Sequence, residues 1–128
     1  MDALFLVKQR IETLTGITLY TGRGGEQETD FGTIKYLPNV SFDQPYVHVD
    51  GIHVVLYSEN VNTALQAARA VIGDLNNESL AGHPLNDQGD YRFNHIVATA
   101  RSTEEFSLIN EKEVTGYVID IVVEYVEL

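Results

Sequence analysis

Val114-Thr-Gly-Tyr-Val-Ile-Asp-Ile-Val-Val-Glu-Tyr-Val126 is the stretch on which the fold turns. Tyr117, Ile119, Ile121, Val123 and Tyr125 form an unbroken apolar series at a spacing of two. Val118, Asp120, Val122, Glu124 and Val126 alternate valine with charge between them. A period of two is that of a β-strand, whose successive side chains point to opposite faces. One face of this strand is made for a core, and the other is half apolar. Residues 91–101 read as a second long strand ahead of it. The connection 102–113 is charged at both ends yet carries Phe106, Leu108 and Ile109.

Upstream, residues 60–75 carry the clearest helical period. Val61, Leu65, Ala68, Ile72 and Leu75 line one side, and Ala64 and Val71 widen the stripe. Ser58 or Asn60 caps the helix, and Asn76-Asn77 marks its end. A first helix is read from Asp2, with Leu4, Val7, Ile11 and Leu14 as its stripe and Gly16 at the position that ends it. Short strands are expected at 17–21 and 33–37. Between them, residues 22–30 are glycine-rich and acidic and read as an exposed loop, as do residues 78–90 with Gly82, Pro84 and Gly89.

Residues 46–57 alternate around Asp50-Gly51, a strong local signal for a β-hairpin. A two-residue turn there places Val47, Val49, Ile52 and Val54 on one face, and a bulge at Gly51 is the rival that corrects the same parity. With strands running consecutively, the order predicts an α+β fold: an antiparallel sheet with two helices packed on one face and a protruding β-rich arm or loop. Residues 1–128 read as one domain, without repeat, low-complexity tract or linker.

The composition narrows the function. Eight Lys and Arg against 19 Asp and Glu give a formal charge of −11, which opposes non-specific nucleic-acid binding. No run approaches the length of a membrane span, the N-terminus does not read as a signal peptide, and the absence of cysteine excludes disulfides, thiolate metal sites and a Cys nucleophile. A soluble cytoplasmic protein is expected.

Four histidines are present, and in the hairpin reading His48 and His53 become a cross-strand pair able to share a divalent metal. No third ligand stands at metal-site spacing, so no metal site is expected. Gly22-Arg23-Gly24-Gly25 resembles a phosphate cradle only superficially, because Glu26 and Glu28 follow it and no helix begins there. The carboxylate runs Glu104-Glu105 and Glu111 with Glu113 read as solvated loop charge. The chain is expected to be no enzyme and to hold no cofactor. The apolar tip Phe106, Leu108 and Ile109 is either an interface or a segment folded back over its own sheet.

The order of elements resembles the tail terminator proteins of long-tailed phages. The resemblance runs from Val54-Val-Leu-Tyr57 through the helix Ala64-Leu-Gln-Ala-Ala-Arg-Ala-Val-Ile-Gly-Asp-Leu75. It continues through a strand, the Ser-x-x-x-Phe of Ser102 to Phe106, the acidic Asn110-Glu-Lys-Glu113 and the closing apolar strand. The first helix followed by Ile17-Thr-Leu-Tyr20 also fits, whereas Ser58-Glu59 stands where family members tend to have an aromatic or basic residue.

The resemblance implies a virion structural protein that forms a hexameric ring on the tail tube. It implies that the ring stops tube polymerisation and joins the tail to a head completion or stopper protein. DNA then passes through the ring without specific binding, and the protein resides in the virion tail after assembly in the host cytoplasm. On this reading Phe106, Leu108 and Ile109 are candidate interface residues, and Glu26, Glu28 and Asp30 are candidate acidic residues of the lumen. The alternative is a small acidic inhibitor or immunity-type protein whose charge steers it to a basic partner.

Overall fold

The computed structural model describes residues 2–22, 30–37, 42–43, 47–76, 80–87, 90–107 and 113–128, with 42–43, 87 and 102–107 described through their backbone. The first helix, α1 (Ala3–Thr15), starts where the Asp2 carboxylate accepts a hydrogen bond from the Phe5 amide at 2.9 Å. It stops at Gly16, whose φ of 70° belongs to the left-handed region and whose amide donates to the Glu12 carbonyl. Helix α2 (Val61–Leu75) is capped by Asn60, whose side-chain oxygen accepts from the amides of Asn62 and Thr63.

The strands are β1 (Leu19–Tyr20), β2 (Asp30–Tyr36), β3 (Phe42–Asp43), β4 (His48–Ser58), β5 (Tyr91–Ser107) and β6 (Glu113–Glu127). They form one sheet in the order β1-β2-β4-β6-β5, with β3 pairing β4 beside β2. All pairings are antiparallel except β1 with β2. The α+β architecture is the one its periodicity implies. Beyond the last β4–β6 rung, Ser58 with Thr115, the β5–β6 hairpin continues through Phe106 with Val114 and Ser107 with Glu113.

Both helices lie on one face. Ile34, Ile52, Val54, Leu56, Ile119, Ile121 and Val123 point from the sheet into a core closed by Leu6, Val7 and Ile11 of α1 and Ala67, Ala68, Val71 and Leu75 of α2. The apolar series that opens the sequence argument is thus the floor of the core. The helix stripes are rotated from their expected centres. Val61 is exposed and Leu65 and Ile72 are only half-buried, while Ala64, Ala67 and Ala68 are buried. The sheet-facing side of α2 is thus made of alanines with Val71 and Leu75, and Leu65 and Ile72 sit on its flanks.

Residues 48–58 are one continuous strand, which overturns the hairpin at Asp50-Gly51. Every residue from His48 to Ser58 has a partner on β6. On the other side β2 pairs residues 52–58, the Leu37 amide donates to the Gly51 carbonyl at 2.8 Å, and β3 pairs His48 and Val49. Asp50 therefore points to the helix side beside Ile52, where the Tyr125 hydroxyl donates to its carboxylate at 2.6 Å. A satisfied buried carboxylate lets an Asp-Gly pair remain in a strand. Burial, followed by the bond to Asp50, pushes the Tyr125 hydroxyl pKa above its ordinary value.

A polar clamp joins the helices to the α2–β5 connection. Arg10 holds Asp74 through two bonds, Nε to Oδ2 at 3.0 Å and Nη2 to Oδ1 at 2.6 Å. Buried His83 meets the same carboxylate through Nε2 at 3.0 Å, while its Nδ1 accepts from the Leu85 amide at 3.2 Å. Accepting at Nδ1 leaves the ring proton on Nε2, pointing at Asp74. Burial opposes the charged form of Asp74, but the bonds from Arg10 and His83 outweigh it and hold the carboxyl below its usual pKa.

Candidate functional site: the open face of the sheet

The sheet face opposite the helices carries the alternating side of the opening strand. Cross-strand register builds a polar row across it: Lys35 on β2, His53 on β4, Asp120 on β6 and Thr99 on β5. Asp120 accepts from Arg101 Nη1 at 3.3 Å and lies 2.9 Å from His53 Nδ1. On one side of this row, Phe31, Val55, Tyr57, Val114 and Val118 form a small buried cluster with Tyr20 against it. Phe31 stacks on Tyr57 at 4.9 Å, and the Tyr57 ring covers Gly116, where a methyl group would sit 2.5 Å from it. On the other side, Val97 and Val122 are paired neighbours, 42% and 38% exposed.

This face combines an ion-pair group with exposed apolar side chains. In that group the Asp120 carboxylate lies between His53 and Arg101 and is the partner of both. Among the described residues no three His, Asp or Glu side chains converge as metal ligands. His48 and His53 are not cross-strand partners, because β4 does not turn between them. Five positions apart on one strand, they face opposite sides of the sheet. His48 stacks on Tyr125 at 5.2 Å on the helix side.

The long edge of the sheet is occupied differently. The Asn76 side chain pairs with both backbone groups of Ala98 on β5, donating at 2.6 Å and accepting at 2.8 Å. Asn86 does the same at Phe93, accepting from its amide at 2.7 Å and donating to its carbonyl at 3.3 Å. Two irregularities, between Phe93 and His95 and between Ala100 and Ser102, further break the strand's register. Side-chain amides and bulges of this kind keep an edge from pairing with another chain. Asn76-Asn77 was legible as a helix end, but nothing local in the sequence pairs Asn76 with a strand 22 residues on.

The other candidate residues are spread along the chain. Phe106 pairs with Val114 in the β5–β6 register, and Glu104 and Glu105 pair with Gly116 and Thr115. Leu108, Ile109, Glu26, Glu28 and Glu111 lie outside the described residues. Asp30, expected in the loop, opens β2 opposite Ser58, whose hydroxyl donates to its carboxylate. Glu113 is exposed at the start of β6. Among the described residues no helix is long and apolar enough to cross a membrane.

No protein-family model and no curated protein matches the chain. Among the solved structures that match is a chain of the virion of a native gene transfer agent particle. The two share 16% identity with a TM-score of 0.49 over 96% of this chain and 86% of that one.

Proposed function

We propose that this chain is a structural subunit of a phage-like virion, a tail terminator that closes into a ring on the last layer of the tail tube. The observation that carries the reading is the open sheet face. Helices cover one side of the sheet, and the other keeps exposed valines beside a polar row, as a surface does when another chain completes it. The order of elements that resembles the tail terminators points the same way. A ring needs a head-to-tail contact that closes on itself, and no catalytic residue. On this reading the chain is not an enzyme, its partners are copies of itself, the tube protein and a head completion or stopper protein, and DNA passes through without a specific contact.

The test is tube assembly in vitro, using the tube protein of the same particle with and without this chain and electron microscopy as readout. Tubes that stop growing and carry a ring at one end support the reading. Tubes of unchanged length with bare ends overturn it.

A further inference from the structure

We propose that residues 80–87 form a strap over the edge of β5 whose closure needs a neutral His83, so that acid loosens the strap and uncovers the backbone of Phe93.

The strap is short and tied to itself. Gly82 turns the chain with a φ of 77°, and Pro84–Asp87 form a single 3-10 turn. The His83 amide donates to the Leu80 carbonyl at 3.1 Å, and the Asn86 amide donates to the His83 carbonyl at 2.8 Å. The Asn86 side-chain amide donates to the Leu80 carbonyl at 2.8 Å while its oxygen reaches across to the Phe93 amide. His83 and Asn86 therefore belong to one body, and a shift of the imidazole is passed to the group that covers the edge. Leu80 and Leu85 anchor the same body in the core. They do not titrate, so acid frees the turn locally and leaves the chain folded.

Both nitrogens of the buried His83 ring are matched to the uncharged form. Nε2 donates to Asp74, and Nδ1 accepts from the Leu85 amide. A second proton sits on Nδ1 and points at the Leu85 N–H, donor against donor. The surrounding charges do not compensate it. Arg10 of α1 already balances Asp74 of α2 through two bonds. Glu12 of α1, which lines the same groove as Pro84 and Leu85, is held by Lys8 and by the Leu19 amide. β5 meets the strap through the Phe93 backbone. A protonated His83 thus adds a positive charge beside Arg10 in a buried site, which is costly. Closure is complete while the ring is neutral and is lost as pH falls. The Asp74 carboxyl is held below its usual value, so it stays ionised over the range in which an imidazole takes up its proton.

The second guarded position on the same edge is the control. Ala98 is covered by Asn76, which ends α2 and is not part of the strap.

The experiment is amide hydrogen exchange by NMR on the full chain between about pH 8 and pH 5, expressed as protection factors, with the imidazole nitrogens followed in parallel. At pH 8 His83 is expected to carry its proton on Nε2 alone. As the ring takes up a second proton, protection of the Leu85 and Phe93 amides is expected to fall at least ~10-fold, with Ala98 and Ile121 unchanged. His83→Asn supplies an oxygen to the Leu85 amide and has no proton to gain, so its Phe93 protection is expected to be independent of pH. The variant also separates His83 from His48, His53 and His95. Phe93 protection that survives protonation of His83 would overturn the proposal. So would a parallel loss at Ala98 and Ile121, the same pH dependence in a folded His83→Asn chain, or a His83 ring that stays neutral down to about pH 5.

Discussion

The two faces of the sheet are built from the same strands but follow different rules. On the helix side of β6, Ile119, Ile121 and Val123 are buried with α1 and α2 over them. One residue along in each case, Asp120, Val122 and Glu124 face the other way, and Val122 keeps 38% of its surface exposed. Burial beneath helices makes the first face the source of folding stability. The second contributes one small cluster, around Tyr57, and otherwise leaves apolar side chains such as Val97 and Val122 exposed.

The contrast breaks most easily at neighbouring residues. Ile121→Ala should cost about 2–5 kcal/mol in urea unfolding, the cost of a cavity in a close-packed core. Val122→Ser, one position along, should stay within roughly 0.5 kcal/mol. Equal costs at the two sites would erase the distinction between the faces. Gly116→Ala probes the exception on the open side, because the new methyl meets the Tyr57 ring and the Val55 side chain. It should cost about 1–3 kcal/mol, measured in the same way. A neutral result would mean that Tyr57 moves freely and that the cluster is not part of the fold.

Tyr125→Phe sharpens the helix side at its polar end. It leaves the Asp50 carboxylate without the hydroxyl that donates to it, at an expected cost of about 1–3 kcal/mol. The smallest effect is a pH dependence from the clamp that holds the helices together. The Asp74 carboxyl is held below its usual value of 3.8, so the unfolded chain binds its proton first. Its contribution to stability is present above that value and is lost as pH falls through the lower folded value. Acid unfolding of Asp74→Asn should accordingly show a shallower slope below about pH 4 than wild type. An identical slope would remove Asp74 from the account of acid stability.

Periodicity carried much of this fold because local rules and tertiary packing agree over most of it. Asp2 and Gly16 bound α1, Asn60 and Leu75 bound α2, and the alternation of 117–125 marks the core side of β6. The readings that failed did so where a distant partner overrides a local preference. Asp50-Gly51 has the composition of a turn, but the Tyr125 hydroxyl, 75 residues away, satisfies Asp50 inside a strand. The expected α2 stripe took in Ala64 and Ala68 but left out Ala67 and counted Val61, Leu65 and Ile72. The buried side is Ala64, Ala67, Ala68, Val71 and Leu75, a choice made only once the helix has a surface to approach. The edge-covering roles of Asn76 and Asn86 have no periodic signature at all. Of the candidate site, the mixed character of the β6 side was legible in Val118 to Val126. That β2 and β4 add Lys35 and His53 to the same surface required the register.

Hydroxyl-radical footprinting read by mass spectrometry, performed on dilute and on assembled protein, tests the central claim most directly. Val97 and Val122 on the open face are compared with Phe5 and Val61 on the helix side, which have comparable exposure in the free chain. The account predicts that assembly protects the two open-face valines several-fold and changes Phe5 and Val61 little. Protection of Phe5 and Val61 with Val97 and Val122 still fully reactive would contradict it.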